Sequence, residues 1–487
     1  MIATHPLKAK SDFSLIIFGA SGHLASLKIF PALYFMALKK RLPEHFSIVG
    51  FARSEMDDGG FRVQFAEAVR RNVEGVNEKV LEELLTHVHY QQGQYDGVAG
   101  YHSLAARLTM LEKGHAQNAV RVAYLSVPPS VYSIVAKHLC EGGIHALGGA
   151  HKGHFRCIVE KPVGNNLRSF ESIQQCLTEC FTKGELYLLD HYLGKEAARN
   201  IYYLRMVNPV VEQILRNTLV NHVQITALES AGLEGRAGYF EAVGTLRDMF
   251  QSHMLALMAL LTMQLVERKA LPSARADALK NIYVPPATDL SEVVLQGQYT
   301  GGAGHCGYRE EEGVAADSRT PTYIAMKLMS RMARWQGVPF YLRSGKHLLG
   351  KETRIMVEFQ DAHAVTTGAD VPPNRLEIIL QGEAGMRLHL QTKKGGSEPE
   401  FRPLVLEDPL VCVGDCMDEH GLLLLEAVNG KRDWFLDFSE VMTAWKLIDP
   451  LEAYIERPDT ALSFYPCSTL GPVEATEWLA REGHVWI

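Results

Sequence analysis

Gly19-Ala20-Ser21-Gly22-His23-Leu24-Ala25 stands where the chain leaves its first apolar run, Leu15-Ile16-Ile17-Phe18, and enters a stretch that reads as a helix. Glycines at such a turn let the backbone bend tightly and approach a phosphate, while free amide N–H groups and the helix dipole favour the negative charge. The pattern is G-x-x-G-x-x-A rather than G-x-G-x-x-G, so its place directly after the first strand carries the dinucleotide reading. A glycine-rich strand–helix turn without a ligand is the plainer alternative. Ala52-Arg53-Ser54 follows the second strand candidate, Ile48-Val49-Gly50-Phe51. A guanidinium and a hydroxyl there, in place of an acidic side chain, suit a ribose 2′-phosphate. They favour NADP, with NAD as a second acceptor; a solvated arginine is the alternative. Arg53 lies 34 residues after Gly19, a spacing that fits a long first helix.

These groups need elements to hold them. Leu15–Phe18, Ile48–Phe51, Val120–Val127 and Cys157–Val159 read as buried strands, and Pro128-Pro129 stops the third. Leu24–Lys40 reads as a helix kinked at Pro31. Strand–helix alternation predicts a parallel sheet covered on both faces. The second half changes character. Val220–Ala227, Arg354–Phe359, Leu376–Leu380 and Met386–Gln391 read as strands joined mainly by loops, which predicts a largely antiparallel sheet. Helices are expected over Tyr239–Leu265, Tyr323–Gln336 and Phe438–Leu447, and an ordered surface loop over Tyr299–Thr322. The fold class is thus α/β plus α+β. A Rossmann-like domain over 1–195 precedes a larger domain over 196–487, with the boundary near Asp190–Arg199.

The chain has 487 residues, 47% hydrophobic and 22% charged, which excludes a disordered chain, a collagen-like fibre and a small disulfide scaffold. A net charge of −7 supplies no overall field for nucleic acid or anionic lipid. The most apolar segment, Met254–Val266, is too short to span a bilayer and reads as a buried helix. The N-terminus lacks the order of a secretory signal, so the expected location is the cytoplasm. Eight cysteines are scattered, and the pairs Cys176/Cys180 and Cys412/Cys416 are not in a CxxC spacing. Buried reduced thiols are expected, and no metal site.

Asp190-His191-Tyr192-Leu193-Gly194-Lys195 resembles the signature of the glucose-6-phosphate dehydrogenase family. Supporting runs follow the family's order. They are Glu160-Lys161-Pro162-Val163-Gly164, Gly238-Tyr239-Phe240 and Arg247-Asp248-Met249-Phe250-Gln251-Ser252-His253, then Arg334 to Lys346, Tyr465-Pro466 and Gly471-Pro472. The likeness covers Leu15 to Trp486. It implies oxidation of the C1 hydroxyl of glucose 6-phosphate to 6-phosphoglucono-1,5-lactone, the first step of the oxidative pentose phosphate pathway. It also implies a homodimer or homotetramer formed through the second sheet.

That chemistry needs a base, a cationic cup for the phosphate, and a cofactor held against C1. The resemblance implies that His253 is the base and Asp190 the carboxylate that orients it. It places His191, Tyr192 and Lys195 at the substrate phosphate. One helical turn would set His191 and Lys195 on one face. Lys346 and Lys351 would close the cup. Lys161, Glu229 and Asp248 would hold the sugar hydroxyls, Lys161 near the nicotinamide as well. Gly19, Ser21, Gly22, His23, Leu24, Lys28, Arg53 and Ser54 would hold the cofactor. The chain departs from the family at five places: His23 for a usual Asp, Ser26 for Lys, Val163 for an aromatic, Ser252 for Asn and His420 for Tyr. A catalytically weak, NADP-binding paralogue with a regulatory role is the alternative from another class.

Overall fold

The strand FSLIIF is apolar nearly throughout because both of its faces are covered: Phe13–Phe18 is buried along its whole length. A computed structural model describes residues 7–116, 119–145, 154–233, 235–265, 270–361, 371–398, 400–410 and 416–487. Two compact units are present, Met1–Lys195 with Val413–Phe438, and Glu196–Cys412 with Ser439–Ile487.

The first unit carries six strands: β1 Phe13–Phe18, β2 Phe46–Ala52, β3 Val88–Gln92, β4 Val120–Leu125, β5 His154–Glu160 and β6 Leu186–Leu189. They pair in the order β3-β2-β1-β4-β5-β6, all parallel. The order reverses between β1 and β4, the place where a doubly wound sheet opens a crevice at its carboxyl ends. Helices cross over between the strands, and some of them start at side-chain caps. Asp57 accepts from Gly60 N–H, and Asn166 forms a reciprocal box with Ser169. The helix expected over Leu24–Lys40 is present in two parts, a wide-turn segment Ala25–Ile29 and an α-helix Phe30–Leu38. Pro31 has no N–H to donate, and the widening falls beside it. The returning segment adds a helix, Glu419–Val428, to this unit, and Leu436 N–H bonds Leu188 O at 2.9 Å.

The second unit is built on a ten-stranded sheet. Its strands are β7 Val220–Leu228, β8 Ile282–Tyr283, β9 Val294–Thr300, β10 Tyr323–Ser330, β11 Phe340–Gly345, β12 Glu352–Phe359, β13 Arg375–Gln381, β14 Gly385–Lys393, β15 Phe401–Pro409 and β16 Ser463–Pro466. The order is β15-β14-β13-β12-β7-β11-β10-β9-β16, with β8 beside β10. Pairing is antiparallel except for β7 with β11 and β9 with β16.

The helix expected over Tyr323–Gln336 is wrong. Tyr323–Ser330 is strand β10, followed by a single tight turn, Ala333–Trp335. Ala, Met, Lys and Leu favour a helix, but β9 and β11 flank this segment on both edges, Ala325 opposing Leu295 and Arg343. Two ladders of backbone bonds and burial outweigh a propensity of a few tenths of a kcal/mol per residue. The helix over Tyr239–Leu265 is present but broken. Ala237–Thr245 contains Gly244 at φ 66°, a wide-turn stretch Leu246–Met254 follows, and Leu255–Thr262 completes it. Residues 254–262 are buried as expected, while Val266 lies outside the described residues. The helix beginning at Phe438 runs on to Ile455, through Pro450. In the Tyr299–Thr322 loop, Tyr308 is fully buried, its hydroxyl donating to Glu241 at 2.5 Å, so part of that loop is core.

Among the described residues no helix is long and apolar enough to cross a membrane. The expectation of buried reduced thiols holds for Cys157 and Cys467. It fails for Cys306, which is exposed in the turn after β9, and for Cys416, which is disulfide-bonded. Cys412 lies outside the described residues.

Candidate functional site

In the first unit the glycine turn is shaped by close backbone approach. Gly19 has φ +82°, and a Cβ there would lie 2.2 Å from Ser126 O. Its N–H bonds Phe51 O at 2.9 Å, and Gly22 N–H bonds Gly19 O at 2.8 Å. Only glycine fits that combination of backbone angle and crowding. The turn sits at the carboxyl ends of β1 and β2, where Ser54 and Ser21 join their hydroxyls at 3.0 Å. Arg53 is exposed, its guanidinium 5.7 Å from the Tyr95 ring centroid. Tyr90, which the sequence reading passed over, holds this corner by donating to Ala52 O at 3.1 Å and Ser54 O at 2.6 Å. His23 is exposed and Leu24 half-buried. Lys28 lies 3.8 Å from the Glu419 carboxylate.

Lys161 and Val163 stand just past β5, joined through a cis Lys161–Pro162 bond. The preceding Glu160 is buried, and burial pushes its carboxyl up to about 7. Tyr124 and Lys161 pull it down, and Asp190 pushes it further up. Tyr124 O–H donates to it at 2.5 Å, and Tyr132 O–H donates to its carbonyl at 2.8 Å. Sequence reasoning counted Glu160 only as part of a run. A lone acidic residue ahead of Lys-Pro carries no signal of a buried, proton-holding carboxyl.

Asp190 is fully buried and caps the one-turn helix His191–Gly194, accepting from Tyr192 N–H at 2.9 Å. That helix ends before Lys195, whose backbone is extended at φ −66°, ψ 129°. His191 and Lys195 therefore do not share a helix face as expected; a common neighbour brings them together. The Tyr192 ring lies 3.9 Å from Lys195 Nζ and 5.1 Å from the His191 ring. The His191 ring also stacks on His420, at 6.2 Å and 14°. Gly194 permits this packing, since a Cβ there would come within 2.8 Å of Glu419. Burial holds the His420 imidazole down at about 4, so it is neutral beside His191 at pH 7.

In the second unit three predicted residues meet. Lys346 Nζ lies 2.5 Å from Glu229 Oε2 and 3.6 Å from Asp248 Oδ2, and 5.1 Å from the Phe240 ring centroid. Lys346 is 8% exposed, so its charge is partnered rather than solvated. Tyr465 fixes it from behind, its hydroxyl donating to Lys346 O at 2.8 Å. The sequence reading had only noted Tyr465-Pro466 as a matching run. Asp248, Ser252 and His253 all lie on the wide-turn stretch Leu246–Met254, with Ser252 and His253 buried. Such stretches re-aim side chains that a regular helix would direct elsewhere. Lys351 is exposed immediately before β12. His347, not anticipated, is buried beside Lys346 at φ 51°, its ring 4.7 Å from Tyr299, and burial lowers its pKa.

Two family models match. Residues 16–200 match the NAD binding domain of glucose-6-phosphate dehydrogenase, and residues 202–487 match its C-terminal domain. The chain is 33% identical over 481 residues to glucose-6-phosphate 1-dehydrogenase of Aggregatibacter actinomycetemcomitans, covering 97% of this chain and 96% of that protein. It is 30% identical to the Bacillus subtilis enzyme, with 97% of each covered. A solved glucose-6-phosphate dehydrogenase in complex with its substrate glucose-6-phosphate superposes with a TM-score of 0.89 at 29% identity, with 100% of each chain covered. The Mycobacterium avium structure gives 0.83 at 26% identity, covering 98% of this chain and 99% of that one. The chain belongs to the glucose-6-phosphate dehydrogenase family.

Proposed function

We propose that this protein oxidises the C1 hydroxyl of glucose 6-phosphate to 6-phosphoglucono-1,5-lactone with NADP, opening the oxidative pentose phosphate pathway. The observation that carries this is the end-to-end family match, 16–200 and 202–487. The turn at Gly19 fits a pyrophosphate, because its cradle is one that a Cβ would fill. Exposed Arg53 beside the joined Ser21 and Ser54 hydroxyls suits a 2′-phosphate. NADP, when bound, accepts the hydride.

In this reading His253 takes the C1 hydroxyl proton and Asp190 orients it. His191, Tyr192 and Lys195 hold the substrate phosphate, and Lys161 positions the sugar. Lys346 already shares its charge with Glu229 and Asp248, a cluster with a net charge of −1. Such a cluster suits sugar hydroxyls, which can both donate and accept, better than a phosphate dianion. Lys351, exposed and nearby in sequence, is the weaker member of the cup.

A second copy of the chain is the proposed occupant of the sheet's edge. Strand β15 is exposed throughout, with Phe401 at 40%, Val405 at 47% and Leu406 at 52%. We place the resulting homodimer or homotetramer in the cytoplasm. The test is initial-rate reduction of NADP, followed at the NADPH absorbance band, with glucose 6-phosphate and with glucose. Rapid reduction that requires the phosphate, and loses most of its glucose 6-phosphate affinity in Lys195→Ala, supports the reading. Equal rates with glucose would overturn it.

A further inference from the structure

Cys140 is the penultimate residue of the helix Tyr132–Glu141, and Cys180 closes the helix Leu167–Cys180. The Cys140 thiol donates to the backbone carbonyl of Cys180, with Sγ 3.4 Å from Cys180 O, which sets the two cysteines side by side. The four-residue spacing noted between Cys176 and Cys180 is not the pair that meets; the partner comes from another helix. His145 Nδ1 lies 3.8 Å from Cys140 Sγ, and its Nε2 lies 3.1 Å from Glu185 Oε1. Thr182 holds the other carboxylate oxygen with its N–H and hydroxyl, both at 2.8 Å. Burial raises the Glu185 pKa, but the Thr182 and His145 hydrogen bonds outweigh it and the net shift is downward, so the group is ionised. An ionised carboxylate on Nε2 fixes the proton there and leaves the Nδ1 lone pair facing the thiol. The ring is clamped edge-on between Phe155 and Phe181 at 4.9 and 5.2 Å. This is the arrangement of a nucleophile, a base and an orienting acid. Beside it opens a cavity of about 450 Å³ lined by His145, Glu185, Arg156, Arg432 and Tyr187.

We propose that Cys140 and Cys180 form a reversible dithiol–disulfide site, with His145 as its base and small anionic disulfides as its oxidant. His145 Nδ1 takes the Cys140 thiol proton, and the sulfur attacks one sulfur of glutathione disulfide. One glutathione leaves as thiolate and recovers the proton. The Cys180 thiol then gives up its proton to the same base, and its sulfur displaces the second glutathione from Cys140. Two protein thiols are oxidised to one disulfide, and one glutathione disulfide is reduced to two glutathione molecules. Burial, with Cys180 and nearby acids adding, pushes the Cys140 thiol up to about 12. The base is therefore required; the thiol does not ionise unaided at neutral pH. Arg156 and Arg432 give the cavity the charge that attracts glutathione carboxylates.

The experiment incubates the full-length protein with glutathione disulfide and maps unreduced peptides by mass spectrometry over time. The expected product links the Cys140 and Cys180 peptides. His145→Ala should slow linkage by about 100-fold, and Glu185→Gln should slow it less. Glutathionylation of exposed Cys306 reports that the reagent is active in every variant. Separate glutathione adducts on Cys140 and Cys180 without a link would overturn the site. Linkage at the wild-type rate in both His145→Ala and Glu185→Gln would overturn the role of the base.

Discussion

Glu160→Gln should make the protein more stable at alkaline pH while leaving acid stability nearly unchanged relative to a constant offset. Glu160 is buried at 9% exposure and faces the Tyr124 hydroxyl at 2.5 Å and His420 Nε2 at 3.9 Å, with Lys161 and Asp190 also acting on it. Burial lifts its pKa from 4.5 to about 7. The folded state therefore holds a proton that the unfolded chain has released. Stability from this group is complete below pH 4.5, falls as pH rises through about 7, and is gone above it. The interval corresponds to roughly 3.4 kcal/mol, at about 1.36 per pH unit. Glutamine keeps an acceptor for Tyr124 and carries no charge at any pH. The melting temperature of the variant minus that of wild type should thus rise by about 7–14 °C between pH 4.5 and 8, at roughly 2–4 °C per kcal/mol. Asp418, raised by burial to about 6, and Glu452, raised to about 7, titrate in the same window in both proteins and cancel in the difference. Thermal unfolding followed by circular dichroism at several pH values reads it. A difference independent of pH would refute the reasoning.

Glu440→Gln should cost about 3–5 kcal/mol, because it strips the counter-charge from Arg275. Those side chains are 0% and 1% exposed and meet at 2.8 Å; a loss below about 1 kcal/mol in denaturant unfolding would contradict this. Gly19→Ala should weaken NADP at least tenfold in a fluorescence titration, since its φ of +82° and the 2.2 Å approach to Ser126 O leave no room for a methyl group; an unchanged Kd would contradict the cradle. Arg53→Ala should raise the NADP KM by about 10- to 100-fold while barely moving that for NAD, the value of a charged hydrogen bond. An unchanged NADP/NAD ratio in steady-state assays would remove Arg53 from the 2′-phosphate.

Strands β1, β2, β4 and β5 are legible because their apolar runs are bounded by turns, as at Ile16–Gly19 and Leu125–Pro128, whereas β6, with 4 residues, is too short to stand out. Strand β3, Val-His-Tyr-Gln-Gln, escaped notice because its polar residues lie at the sheet's edge. Tyr323–Ser330 was misread because its residues favour a helix and only its two partner strands decide otherwise. The return of 413–438 to the first unit is a long-range event with no local signature. Site residues were found through runs that resemble the family. What the runs could not convey was which charges meet. The Lys346–Glu229–Asp248 cluster joins Lys346 to a carboxylate 117 positions before it in sequence, and Tyr465 supports Lys346 from 119 positions after it. The wide turn that carries His253 follows Gly244, whose positive φ is a property of the fold rather than of composition.

Hydride is expected to leave C1 of glucose 6-phosphate for NADP. Glucose 6-phosphate deuterated at C1 tests it directly, with the reduced nucleotide and the sugar product analysed by mass spectrometry and NMR. The expected result is one deuterium on the nicotinamide, a lactone that hydrolyses to 6-phosphogluconate, and a slower turnover than with the unlabelled sugar in His253→Asn and wild type alike. Binding of NADP with no label transferred would contradict it, and would favour a regulatory, catalytically weak protein.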